Sequence, residues 1–186
     1  MRRSGVLLPV TSLPSRFGIG TFSKEAYAFV DFLKEAGQKL WQILPLGPTG
    51  YGDSPYQAFS TFAGNPYLID LEELIENGWL TEEECENTDW GGSKSYVDYE
   101  KMYQGRFPLL RKAYHNSHIA ENAEFIAFCE ENDWWLSDYA LFMAIKDSQG
   151  GASFLEWDAP LKLREPEAIR RCRHELSDEI CFWQFL

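Results

Sequence analysis

The chain opens on a run with no polar face, Gly5-Val6-Leu7-Leu8-Pro9-Val10. Such a run reads as a short, fully buried strand. A Gly/Pro-rich segment, TSLPSRFGIGTF, follows it as a loop. The pattern then changes period. Ala26, Phe29, Val30 and Leu33 recur at helical spacing, Ser23 can cap the start, and Gly37 can close the end. This predicts a helix over 24–36. A second buried-strand candidate, KLWQILPL, comes next. Strand, loop, helix and strand make a βαβ unit, so the two strands should be parallel with a right-handed crossover.

Beyond residue 70 the period is helical throughout. Asp70 and Glu73 can cap LEELIENG, with Gly78 as its stop, and Thr81 and Glu84 have capping-box spacing. A helix is expected over 97–114, kinked or divided at Pro108. Further helices are expected over 121–130 and 136–148, the latter ending before Gly150-Gly151. Pro166 suits the first position of a last helix, along which Ile169, Cys172, Leu176, Ile180 and Trp183 form one apolar stripe. Two parallel strands cannot make a stable buried sheet by themselves. Either short strands hide in the middle, or more sheet lies beyond Leu186. The ending CFWQFL reads as a chain cut short, with Trp183 and Phe185 exposed and the isolated chain poorly stable.

Composition narrows the partners. The 186 residues carry a formal net charge of −12, which repels phosphate backbones and anionic membrane surfaces and suits a neutral ligand. No apolar run is long enough to span a membrane. Arg2 and Arg3 before GVLLPV resemble the start of a signal peptide, but Pro9, Thr11 and Ser12 interrupt a run already too short. Cys85, Cys129, Cys172 and Cys181 are too far apart for a disulfide framework or a C-x-x-C site. They read as reduced thiols of a cytoplasmic protein. His115 and His118 read as surface residues and show no zinc spacing. No nucleotide or metal motif occurs, so no cofactor is expected.

One stretch combines loop chemistry with rings. PLGPTGYGDSPYQAFSTFAGNPYLID is crowded with Gly, Pro and Asn, yet carries Tyr51, Tyr56, Phe59, Phe62 and Tyr67. It starts at the carboxyl end of the second strand, the functional end of parallel α/β architectures, and TSLPSRFGIG emerges at the same end. Asp53 and Ser54 can bond back to the backbone and order the turn. Tyr51 and Tyr56 would then be presented as flat apolar faces with a hydroxyl rim, which matches a pyranose; the same rings could instead pack beneath the loop. Asp53 could serve as one carboxylate of a glycosidic pair with Asp70 or Asp98. Its turn-forming role explains it more simply.

LGPTGYGDSPYQAFSTFAGNPYLIDLEELIENGWL resembles the 4-α-glucanotransferases called amylomaltases or disproportionating enzymes. GVLLPVTSLPSRFGIGTF is similar to that family's opening strand and loop, and SDYALFMAIKDSQGGASFLEW and LREPEAI to its later helices. The resemblance implies an α/β fold, the start of a (β/α)8 TIM barrel with an inserted, mainly helical subdomain. Residues 1–70 would supply the first strands, helix and active-site loops, 71–164 the insertion, and 165–186 a helix returning to the barrel.

It also implies an activity: transfer of α-1,4-glucan segments between maltooligosaccharides by a retaining double displacement, with an Asp nucleophile, a Glu acid/base and a stabilising Asp. All three carboxylates are expected downstream of Leu186, so the chain reads as an amino-terminal portion that is inactive alone. By the same resemblance, Tyr56 stacks on the reacting sugar, Ser54 reaches its hydroxyls, and Tyr51 and Tyr99 belong to a second glucan groove. Asp53 belongs to the loop but not to the catalytic set. A short non-catalytic glucan-binding protein and a related α-glucan hydrolase are the alternatives. Oligomeric state is open.

Overall fold

The two N-terminal apolar runs pair as parallel strands. β1 (Gly5–Leu7) and β2 (Leu40–Gln42) are in register Gly5 to Leu40, Val6 to Trp41 and Leu7 to Gln42. The ladder continues through Leu8 N–H to the Gln42 carbonyl at 3.0 Å. Between the strands runs α1 (Lys24–Glu35), whose Ser23 hydroxyl accepts from Glu25 N–H and whose end passes into Gly37 at φ 71°. The computed structural model describes residues 2–50, 52–93 and 95–186. Two compact units result, residues 1–117 and 118–186.

The strands are not fully buried. Leu8, Phe29, Trp41, Ile43 and Leu46 pack around a core of Val10, Leu13, Ala26 and Leu68. The Trp41 indole N–H donates to the Leu8 carbonyl at 2.8 Å. Leu7 (57% exposed) and Leu40 (51%) have no such cover. Strand side chains alternate between two faces, and α1 can cover only one of them. Hidden strands in the middle of the chain are not realised: among the described residues the only further pairing is an isolated antiparallel bridge, Thr49 to Ala58.

The rest of the first unit is helical. α2 (Leu71–Glu76) starts with the Asp70 carboxylate accepting from Glu72 N–H, and α3 (Glu82–Glu86) has the complete Thr81/Glu84 capping box. α4 (Tyr99–Ser117) is one helix through Pro108, so of the two expected outcomes, a kink or a division, the division is not realised. Met102 and Arg106 before the proline, and Leu109, Leu110, Ala113 and Tyr114 after it, are all buried. Packing on both sides offsets the roughly 3 kcal/mol penalty of an interior proline.

The second unit contains α5 (Ala123–Glu131), α6 (Asp133–Ser148), α7 (Ala159–Lys162), α8 (Pro166–Glu175) and α9 (Ser177–Phe185). The expected single last helix is therefore two. Leu176 leaves helical geometry (φ −108°, ψ 22°), and Ser177 starts a new helix with Asp178 and Glu179 in its first turn, where the helix dipole favours acidic side chains. The apolar stripe survives the break: Ile169, Leu176 and Ile180 all pack on a core of Leu141, Ile145, Trp157, Leu161, Ala168 and Cys172. Trp183, expected to be exposed, is 5% exposed. Its indole N–H donates to Asp147 at 2.8 Å, and its ring meets Tyr139 edge-on at 6.3 Å.

Cys85 in α3 is fully buried, and burial pushes its thiol up to about 11. A raised thiol pKa leaves roughly one molecule in a thousand as thiolate at pH 8. Iodoacetamide at that pH should therefore alkylate Cys85 about a hundredfold more slowly in the native protein than after denaturation. Peptide mass spectrometry over time checks this, and rapid native labelling would contradict the burial.

Candidate functional site

Two loops meet at the carboxyl ends of the strands. The first leaves β1 through a short 3-10 turn at Val10–Ser12 and doubles back, with Gly20 N–H donating to the Thr11 carbonyl at 3.1 Å. Its Phe17 and Ile19 are buried. Ile19 joins Tyr67 and Met102 in a core flanked by Trp90, Val97, Tyr99 and Phe107. Arg16 forks onto Glu82 and Glu86 at 2.6 Å each, tying the loop to α3 from outside. These exposed ion pairs add little stability, so the buried rings are what hold the loop.

The second loop, residues 45–69, closes on itself. Asn65 N–H donates to the Leu46 carbonyl at 2.8 Å, and Phe59 N–H to the Pro48 carbonyl at 3.3 Å. The Ser60 hydroxyl accepts from Phe62 and Ala63 N–H, both at 3.1 Å. The Asn65 side chain caps the 3-10 turn Pro66–Leu68 by accepting from Tyr67 N–H. Side-chain acceptors two or three residues upstream of backbone donors are what Ser and Asn supply in turns. The described residues of the loop are thus tied by its own Ser and Asn side chains, as its composition predicted.

A cavity of about 90 Å³ lies between the loops. The polar groups lining it are Thr11, Thr49, Asp53, Asn65, Tyr67 and Tyr99; Val10, Ile19, Leu44, Leu46 and Leu68 contribute apolar wall. The rings of Tyr67 and Tyr99 are 6.0 Å apart and tilted by 56°. Burial, and then the charge of Asp53, push the Tyr67 phenol up to about 12. The Tyr99 phenol is raised by the same two causes, against a hydrogen bond with Thr11. Burial also raises the Asp53 carboxyl. The Thr49 hydroxyl is buried without a partner among the described residues. A polar cavity of this size has room for ordered water or a ligand hydroxyl.

The sequence-predicted residues divide. Tyr56 is 73% exposed. The Ser54 hydroxyl lies beside it, accepting from Tyr56 N–H at 3.4 Å. Tyr99 is half-buried and lines the cavity with Asp53. Tyr51 lies outside the described residues. Asp53 is a turn residue, at φ 53° with its N–H donating to the Gly50 carbonyl at 3.1 Å. Its possible carboxylate partners are otherwise engaged: Asp70 caps α2, and Asp98 accepts from Lys101 N–H at the start of α4. Sequence reasoning missed Thr11, Thr49 and Tyr67 as site residues. Their one signal was position, at or near loop ends that a parallel pair must bring together.

The sequence model of the 4-alpha-glucanotransferase family matches residues 8–186. The chain belongs to that family. It is 47% identical over 188 residues to the 4-alpha-glucanotransferase of Thermus thermophilus, covering 99% of this chain and 37% of the relative. The corresponding Clostridium butyricum protein is 46% identical over 177 residues, with 95% and 36% covered. Among solved structures, the amylomaltase from Streptococcus agalactiae in complex with acarbose superposes with a TM-score of 0.94 at 45% identity, covering 99% of this chain and 38% of that one. This glucanotransferase-family chain therefore spans a little over a third of the length of these relatives, and the resemblance drawn from SPYQAFSTFAGNP is borne out.

The first loop's tight return gives a test. A methyl group on Gly20 would collide with the Val10 carbonyl oxygen and stand 2.7 Å from Leu13 N. Gly20→Ala should therefore cost about 1–3 kcal/mol by overpacking against backbone. Denaturant melts of the two proteins would measure it, and an unchanged midpoint would refute the packing described.

Proposed function

We propose that this chain forms one wall of the glucan cleft of a 4-α-glucanotransferase. The observation that carries the reading is the ordered 45–69 loop, in a chain of this family, with Tyr56 exposed where the parallel strands end. An outward phenol ring beside a serine hydroxyl suits a pyranose, which needs an apolar face and hydrogen-bond partners at its edge. Tyr56 would stack on the reacting sugar and Ser54 would bond its hydroxyls. Tyr51 and Tyr99 would serve a second glucan groove.

In the same proposal, residues 1–70 open a (β/α)8 barrel, 71–164 form an inserted helical subdomain, and 165–186 lead back to the barrel. The exposed faces of Leu7 and Leu40 support this, since further strands would cover them. The nucleophilic Asp, the acid/base Glu and the stabilising Asp lie on sequence beyond Leu186. Transfer of α-1,4-glucan segments then follows by double displacement, with an acceptor 4-hydroxyl outcompeting water.

In the full gene product, Tyr56→Ala should lower glucose release from maltotriose by about tenfold or more, the worth of a good aromatic contact. Because Tyr56 is exposed, the melting temperature should move by no more than about 2 °C. Equal loss of stability and activity would sink the stacking role. Sugars hydrolysed without redistribution of chain length would favour a hydrolase. The intact mass of the native gene product should exceed twice the 21.5 kDa of these residues; a mass near 21.5 kDa would leave a glucan-binding protein without transferase chemistry.

A further inference from the structure

The tip of the 45–69 loop poses a mechanical problem. Beyond the Thr49–Ala58 bridge, the hydrogen bonds among the described tip residues run within the tip: Asp53 N–H to the Gly50 carbonyl, Gln57 N–H to the Ser54 carbonyl at 3.1 Å, and Tyr56 N–H to the Ser54 hydroxyl. These shape the turn but do not aim it. A turn on a narrow stem pivots unless something inside it engages the body of the protein.

Among the described tip residues, the ones that enter the cavity wall are Asp53 and Pro55. Pro55 brings no hydrogen-bonding group. Asp53 brings a charge, and holds a left-handed backbone that Asp and Asn tolerate best after glycine. It lines the cavity together with phenols from two separate segments: Tyr67 follows the loop's closing residue, and Tyr99 starts α4. Both feel the Asp53 charge. Three residues along, Tyr56 faces solvent. The tip thus has a charged foot inside and an exposed ring outside.

We propose that Asp53 is a positioning residue for the sugar-stacking wall: its carboxylate, seated in the cavity with Tyr67 and Tyr99, anchors the tip and so sets the direction in which Ser54 and Tyr56 meet a glucan. The anchoring stands on the loop geometry alone; its consequence for glucan rests on the function proposed above.

Asp53→Asn separates the charge from the backbone, since Asn tolerates the same left-handed conformation. In the full gene product this variant should melt within about 2 °C of the parent. Chymotrypsin should nonetheless cut its tip, at Tyr56 or Phe59, about fivefold faster or more, because local opening exposes the tip without global unfolding. KM for maltotriose should rise about fivefold or more while kcat stays within about twofold, as expected when pre-organisation for binding is lost. Cleavage at the parental rate would overturn the anchor and leave the left-handed backbone as Asp53's whole role. Faster cleavage with parental KM would overturn the positioning, provided Tyr56→Ala does raise KM. If Tyr56→Ala leaves KM unchanged as well, the glucan reading of the loop has failed, and the cleavage rate alone decides whether Asp53 anchors it.

Discussion

A buried cation sets the terms for the first unit. Arg106, on α4, is fully buried and donates to the carbonyls of Phe17 at 3.5 Å and of Ile69. Desolvation lowers its pKa to about 10, opposed first by the charge of Asp70, so it remains protonated at neutral pH. A guanidinium without water must find acceptors, and here they come from two segments far apart in sequence. Phe17 lies in the loop after β1, and Ile69 ends the loop after β2. Both loops can reach the Arg106 terminal nitrogens only if they converge on one face of α4; its Nε is buried without an acceptor among the described residues. The arrangement is a constraint more than a store of energy, because burying a charge is itself costly.

That constraint explains why the aromatic residues of the N-terminal unit fall into two groups. Phe17, Tyr67 and Phe107 are held near Arg106, in the core or at its edge, and Tyr67 meets Phe107 edge-on at 6.1 Å. Their rings fill the space that convergence creates. Tyr56 belongs to the same loop as Tyr67 but lies across the Thr49–Ala58 bridge, on the side away from the core. Of the loop's rings, Tyr67 packs underneath and Tyr56 faces solvent. The cavity marks the border between them, with Asp53 and Tyr99 on its wall.

Local signals in the sequence were dependable where chemistry is local. Ser23, Asp70 and Thr81, each expected as a cap, accept from a backbone donor two or three residues on, because that geometry needs no distant partner. Signals failed where distant packing outweighed them. Of the kink or division expected at Pro108, the division does not occur, since buried residues on both flanks hold α4 together. Leu176 interrupts what the apolar stripe suggested was one helix, because a stripe records burial and not continuity. Trp183 is covered, because Asp147 and Tyr139 meet it from α6. The strands are half-exposed, because a run without a polar face says that cover is suited to both sides and not that it is present.

By itself the sequence determined the parallel βαβ order, the caps, the ordered 45–69 loop and the family. Each of these is written in short-range spacing or in one long, idiosyncratic motif. Only the tertiary structure decided which tyrosines face inward, that Thr11 and Thr49 share a cavity with Asp53 and Tyr99, and that Arg106 joins the two loops. These are pairings across 37 to 89 residues in the case of Arg106, and no local period encodes them. They follow from where a desolvated charge and a set of rings can be satisfied together.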